Sequence, residues 1–277
     1  MNYIQLHIQV PIDFQELLIA ELFDLDFDGF EEFDEGFFAT IPANRFDDTK
    51  RQEVELLVAG INGAELSGEK LIAPQNWNEN WEKTIQPQTV GSFYVTPTWG
   101  TPPPEDSDLI TVYIDPKMAF GTGYHATTRL VLEMLPSVVK AGDEVLDAGT
   151  GTGILGIAAL KLGATSVFGF DIDEWCDDNC NENIQLNKVT NFEVRLGSTE
   201  TIPSGAKYDV ILANINRNAL IELIPEFLKY LRKDGKLLLS GLLETDEQTI
   251  LELPAIKNLT HLETRQQMEW IALVLEA

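Results

Sequence analysis

Val145–Leu160 reads VLDAGTGTGILGIAAL. A short apolar run closes on an acid, Asp147, and glycines at 149, 151 and 153 follow before a second apolar run opens. The first run suits a buried strand and the second a helix, so the stretch predicts strand, tight turn, helix. Glycine permits the turn and lets backbone N–H groups approach a ligand, and the helix N-terminus that follows favours negative charge. The same rhythm extends outward. TTRLVLEMLPSVV (127–139) reads as a helix before this strand. After it come a strand (TSVFGFDI, 165–172), a helix (DEWCDDNCNENIQLN, 173–187) and strands at FEVRLG (192–197) and YDVILANI (208–215). A helix (RNALIELIPEFLKYLR, 217–232) and a strand (GKLLLSGLL, 235–243) complete the alternation. Such alternation predicts an α/β domain, a mostly parallel Rossmann-like sheet with helices on both faces. THLETRQQ (260–267) and EWIALVLEA (269–277) lie too close for a crossover helix and should form a terminal antiparallel pair.

Residues 1–73 carry a different order. YIQLHIQV alternates, with Ile4, Leu6 and Ile8 on one face, and DFQELLIAELFDL has helical period behind an expected N-cap at Asp13. Two aromatic segments flank a hairpin signal at Asp34–Gly36, then a helix ends near Gly60 and a last strand follows. Strand, helix, strand, strand, helix, strand predicts a small ferredoxin-like α+β domain. Residues 74–87, PQNWNENWEKTIQP, read as a linker in which Trp77 and Trp81 share a face if helical. Residues 88–277 form the second domain, opening with two strands (90–99 and 109–116) around the Pro-rich turn GTPPPEDSD.

The formal net charge is -26, from 45 acidic residues against 19 Lys and Arg. That surface repels phosphates and disfavours direct nucleic-acid binding, while attracting a basic partner. Cys176 and Cys180, four apart in one helix, match neither a disulfide framework nor a zinc site, and no metal site is expected. No signal peptide or apolar run of membrane-spanning length is present, so a soluble cytoplasmic protein is expected.

Gly151, Gly153 and Gly156 satisfy the dinucleotide pattern G-x-G-x-x-G, and Asp171 closes the next strand where an acid meets ribose hydroxyls. Two cofactors therefore compete: a nicotinamide dinucleotide and S-adenosylmethionine. The acid-first spelling DAGTGTG, the terminal antiparallel pair, and Asn214 at the carboxyl end of the strand after next favour the methyl donor. Helix capping is the alternative role for an asparagine there, and Asn216 can take it while Asn214 faces the ligand.

DPKMAFGTGYHATTRL (115–130), VLDAGTGTGILGIAALKLGA (145–164), GFDID (169–173) and ANI (213–215), in that order, resemble the PrmA family, methyltransferases of large-subunit ribosomal protein eleven. The resemblance covers most of the chain, and AFGTGYHATT is its specific part. It implies methyl transfer from S-adenosylmethionine to the terminal α-amine and lysine ε-amines of that ribosomal protein. It also implies a substrate-recognition role for residues 1–73 and a donor-binding role for 88–277. By position it places Thr128, Gly149, Asp171 and Asn214 at the donor, with Gly151 and Gly153 in the same loop and Phe120, Gly121 and Thr122 bordering it. Asn214, through its side-chain or backbone carbonyl, is the residue expected to orient the amine, and His125 is expected to pack the loop. Thr150 and Thr152 stand where Cys and Ser are common in the family, and Asn216 where an apolar residue is more usual. Another class I methyltransferase, acting on a different protein or a small molecule, is the alternative.

Overall fold

The computed structural model of the chain describes residues 2–72, 85–105, 107–115, 117 and 120–277. Trp77 and Trp81 of the expected linker lie outside the described residues. The chain divides into two compact units, Met1–Trp77 and Asn78–Ala277.

In the first unit β1 (Tyr3–Gln9), β2 (Gly29–Phe33), β3 (Gly36–Pro42) and β4 (Glu65–Ile72) form a sheet in the order β2-β3-β1-β4. Every pairing is antiparallel. Helices α1 (Gln15–Asp24) and α2 (Asp48–Ala59) complete the ferredoxin-like order. Leu6 and Ile8 of β1 are fully buried with Leu18, Leu22, Phe37, Ile41 and Val54, which is the alternation read in the sequence. Asp47 caps α2 by accepting from the Lys50 N–H at 2.9 Å. Asp13 does not cap α1. Pro11 sets up a 3₁₀ turn over Ile12–Phe14 that takes Asp13 into itself, and α1 begins only at Gln15 without a side-chain cap.

The second unit opens differently from the two-strand expectation. VGSFYVT is split by a tight turn at Gly91 (φ 54°) into β5 (Gln88–Val90) and β6 (Phe93–Thr96), an antiparallel hairpin. The strand β7 (Ile110–Tyr113) then pairs parallel to β6, so the Pro-rich segment is a crossover connection rather than a hairpin turn.

The main sheet holds β8 (Glu144–Ala148), β9 (Ser166–Asp171), β10 (Phe192–Leu196), β11 (Tyr208–Asn214), β12 (Leu231–Leu243), β13 (Thr260–Gln267) and β14 (Trp270–Glu276). Their order is β10-β9-β8-β11-β12-β14-β13. The first five are mutually parallel, and β14 runs antiparallel to both β12 and β13. Side chains alternate between two cores. Val145 packs on one face with Leu130, Met134 and Ile157, and Leu146 on the other with Leu220, Ile224 and Phe227. The helices are α3 (Ala126–Val138), α4 (Ile154–Lys161), α5 (Glu174–Asn187), α6 (Arg217–Tyr230) and the short α7 (Glu247–Leu251). Leu220, Ile224 and Phe227 follow helical spacing along α6 and are fully buried, each worth roughly 1.5–3 kcal/mol in burial. Among the described residues no helix is long and apolar enough to cross a membrane. Strand order reverses at β8, between β9 and β11, so the carboxyl ends of those strands bound a crevice.

Candidate active site

That crevice is a cleft of about 430 Å³ whose lining includes Phe120, Gly149, Gly151, Asp171 and Asn214. Thus five of the nine residues singled out from the sequence line it. Gly121, Thr122, Thr128 and Gly153 do not, and each supports one that does or the loop beside it. Thr128 is fully buried and accepts a hydrogen bond from Asn214 Nδ2 at 3.3 Å. The Gly121 carbonyl accepts from Thr152 Oγ1 at 2.6 Å, and Thr122 Oγ1 accepts from the Tyr124 N–H at 3.4 Å. Gly153 sits at the N-cap of α4, where a Cβ would meet Cys180 Sγ at 2.5 Å.

The glycines divide by task. Gly149 and Gly151 adopt positive φ, 72° and 53°, at the cleft wall. A Cβ on Gly151 would meet the Phe120 carbonyl oxygen at 2.3 Å, so only glycine lets the two loops close together. Gly156 lies within α4, where a Cβ would meet the Phe192 ring at 2.4 Å, so it serves helix–sheet packing.

The two strand-end acids also divide. Asp171 accepts from the Gly151 N–H at 2.9 Å and, through its other oxygen, from the Asp173 N–H at 3.1 Å, and it faces the cleft. A carboxylate oxygen keeps a further lone pair after one such bond, so a ligand hydroxyl can share it. Asp147 is fully buried beneath the glycine loop. Its Oδ2 accepts from Thr150 Oγ1 at 2.8 Å and from the Gly156 N–H at 3.1 Å, and its Oδ1 has no partner among the described residues. Burial is the main cause that pushes its pKa up to about 6; the Asp171 charge adds to the rise, and the Thr150 and Gly156 hydrogen bonds oppose it. Because the folded pKa lies above the unfolded value of about 3.9, the folded protein holds this proton more tightly. The stability it contributes is full below about pH 4 and is lost as pH rises through about 6. Asp147→Asn keeps an acceptor for both donors and removes the charge. The variant is therefore expected to gain on the wild type between pH 4 and pH 7, by on the order of 2–3 kcal/mol. Parallel melting-temperature profiles for the two proteins over that range would refute this.

Asn214 ends β11 at the cleft and is 9% exposed. Its Nδ2 is tied to Thr128, but its Oδ1 is buried and has no partner among the described residues. An orphan acceptor of that kind costs about 1–3 kcal/mol, returned when a ligand N–H or O–H reaches it. Asn216 is the capping residue, accepting from the Ala219 N–H at 3.0 Å. His125 caps α3 and packs edge-on between Phe120 (ring centroids 5.4 Å) and Trp270 (4.8 Å). It lines the cleft as part of an aromatic wall.

Sequence reasoning missed Ile172, Ser198, Ile215, Gly241 and Trp270, which also line the cleft. Gly241 had a signal, a lone glycine in the apolar strand LLLSGLL. It has φ 84°, and a Cβ there would meet the Ile215 carbonyl oxygen at 2.1 Å. Cys176 and Cys180 are free and buried, and burial pushes the Cys176 thiol up to about 12. Among the described residues no group of His, Cys, Asp or Glu is placed to hold a metal ion.

A sheet in this order, with a glycine loop after its central strand, an acid ending the next and a polar residue ending the strand across the switch, defines a Rossmann-like methyltransferase. The family model for "Ribosomal protein L11 methyltransferase (PrmA)" matches residues 37–277, and the chain belongs to that family. A ribosomal protein L11 methyltransferase of Chlorobaculum parvum is 34% identical over 280 residues, spanning 99% of this chain and 96% of its own. One from Porphyromonas gingivalis is 38% identical over 262 residues, spanning 93% and 89%. The crystal structure of a ribosomal protein L11 methylase from Lactobacillus delbrueckii subsp. bulgaricus superposes with a TM-score of 0.64 at 30% identity, over 69% of this chain and 98% of that one.

Proposed function

We propose that the protein transfers methyl groups from S-adenosylmethionine to amino groups of ribosomal protein L11, both its terminal α-amine and lysine ε-amines, in the cytoplasm. The observation that carries this reading is the orphan Asn214 carbonyl oxygen in the same cleft as the glycine loop and Asp171. Membership of the family decides against the nicotinamide dinucleotide that the glycine pattern leaves open.

The cleft residues fit the donor. Gly149 and Gly151 allow a close approach, Asp171 offers lone pairs to sugar hydroxyls, and Phe120 and Ile172 offer apolar surface. When bound, the donor supplies a methyl group on an electron-poor sulfonium. The chain's own part is position and exclusion of water. Asn214 Oδ1 accepts an N–H from the incoming amine and so aims its lone pair; alignment of this kind can supply roughly 7–11 kcal/mol. Phe120, Leu223 and Trp270 give the cleft apolar walls, which offer water few partners beside the reacting atoms. The amine must arrive neutral, which costs a lysine about 4.6 kcal/mol at pH 7 and an α-amine about 1. No side chain in the cleft is assigned as the base, and bulk water takes the proton.

The net charge of -26 suits a basic protein substrate and disfavours bare nucleic acid. Residues 1–73 are proposed as the substrate-docking domain, joined by residues 74–87 to the donor domain at 88–277. Docking raises the effective concentration of several amines at one cleft. A chain lacking residues 1–73 is expected to bind the donor normally but lose at least about tenfold in kcat/KM on L11. Equal efficiency with and without residues 1–73 would remove the docking role. The overall reading is tested by mass spectrometry of unmodified L11 after incubation with the protein and S-adenosylmethionine. Methyl-sized mass gains are expected, and fragmentation assigns the amines. Donor binding without any gain would discard L11 as the substrate.

A further inference from the structure

Helix α5 carries asparagines at 179, 183 and 187, one turn apart, and all three are buried. A buried helix face is ordinarily apolar, so three amides in a row need partners. They find them on the end of β7 and the backbone just after it. Asn187 accepts from the Tyr113 N–H at 2.9 Å and donates to the Tyr113 carbonyl at 2.6 Å. Asn183 accepts from the Asp115 N–H at 3.0 Å, and Asn179 donates to the Asp115 carbonyl at 2.9 Å. The helix thus does for Tyr113–Asp115 what a neighbouring strand would do, on the edge of a sheet where, among the described residues, β7 pairs with β6 alone.

Asn183 makes one bond more. Its Nδ2 donates to the Thr152 carbonyl, inside the glycine loop, at 3.0 Å. Every polar group of Thr152 is engaged: its N–H donates to the Phe120 carbonyl at 2.9 Å and its hydroxyl to the Gly121 carbonyl at 2.6 Å. Thr152 is fully buried and does not line the cleft, whereas Phe120 and Gly151 on either side of the junction do. The Asp115 backbone, the Phe120–Gly121 backbone and the glycine loop therefore meet at two side chains, Thr152 and Asn183.

We propose that Thr152 and Asn183 are positioning residues for donor binding: together they fix Phe120 against Gly149–Gly151 and so set the width of the donor end of the cleft. The inference rests on the reading of that cleft as the S-adenosylmethionine site. Removing one buried bond of the junction leaves a carbonyl unsatisfied and lets the Phe120 loop shift, which should cost affinity rather than chemistry.

The test uses the full chain and S-adenosylhomocysteine as the probe, with binding measured by isothermal titration. Thr152→Val keeps the branched shape and the backbone N–H and removes only the hydroxyl. It should raise the dissociation constant about tenfold. KM for S-adenosylmethionine should rise in step, while kcat at saturation stays within about threefold, the split expected when ground-state binding alone is lost. Thr152→Ser restores the hydroxyl and should restore affinity to within about threefold despite its missing methyl. Asn183→Asp keeps an acceptor for the Asp115 N–H and loses the donor to Thr152, so it should weaken binding like Thr152→Val. Wild-type affinity in both Thr152→Val and Asn183→Asp would overturn the proposal. So would a loss in Thr152→Val that Thr152→Ser fails to repair, because packing and not the hydroxyl would then be responsible. A wild-type chain that did not bind S-adenosylhomocysteine would overturn the donor reading itself, a result distinct from either.

Discussion

Asp171→Ala is expected to weaken binding of S-adenosylhomocysteine by on the order of 10²- to 10³-fold while leaving the protein folded. A hydrogen bond to a charged acceptor contributes about 1.5–3 kcal/mol, and a carboxylate facing a sugar edge can take two hydroxyls. The expected loss corresponds to about 2.7–4.1 kcal/mol. Asp171 also holds the site's own backbone, since its oxygens accept from the Gly151 and Asp173 N–H groups. The alanine variant therefore loses the ligand's acceptor and the anchor of the glycine loop together. Asp171→Asn retains one acceptor oxygen and should fall in between, near tenfold. The fold should survive because Asp171 sits at the end of β9, outside both hydrophobic cores. Titration calorimetry on the folded variants, checked by circular dichroism, decides the matter. An alanine variant that binds within about threefold of wild type would remove Asp171 from the donor site.

The features that were legible in the sequence are those written in contiguous residues. The strand–glycine loop–helix unit at 145–160 and the alternation around it predict the parallel sheet, and a closing pair without room for a helix predicts the antiparallel end. Gly149, Gly151, Asp171 and Asn214 can be picked out because each ends or follows a strand at its carboxyl end, where an open sheet gathers ligand contacts. What stayed hidden depends on three-dimensional neighbours. Trp270 reaches the cleft from the hairpin at the far end of the chain, and nothing local distinguishes it from a core aromatic. Asp147 and Asp171 look alike as strand-end acids, yet one is a buried anchor beneath the loop and the other a wall of the cleft. They share a face of the sheet, because Asp147 pairs with Gly169, two residues before Asp171; Asp147 lies inside β8 under the loop, whereas Asp171 is the last residue of β9. Gly153 and Thr128 read as ligand contacts but sit one layer behind, holding α4 against Cys180 and Asn214 in place. The β5–β6 hairpin reads as one strand in the sequence because its turn, Gly91-Ser92, is too short to interrupt an apolar run visibly.

Asn214→Ala should separate chemistry from donor binding. The variant is expected to lose about 10²-fold in kcat on L11, the scale of misplacing a reacting atom by an ångström, with KM for S-adenosylmethionine changed by less than about threefold. The Asn214 carbonyl oxygen is available because its amide nitrogen is already committed to Thr128, which also fixes the side chain's rotation. Accepting one N–H from a neutral amine satisfies that oxygen and points the nitrogen lone pair away from it. The amine's own titration supplies an internal control. Methylation of a lysine should rise about tenfold per pH unit from pH 7 to pH 9, whereas methylation of the α-amine should level off above about pH 8. Asn214→Ala should lower both profiles without moving them. Asn214→Asp places a negative charge at the same point, stabilises the ammonium form, and should move both profiles to higher pH. Profiles that fall without moving in the alanine variant and shift in the aspartate variant locate the amine at this side chain. A kcat within about threefold of wild type in Asn214→Ala would instead leave the backbone carbonyl of Asn214 as the group that aims the amine.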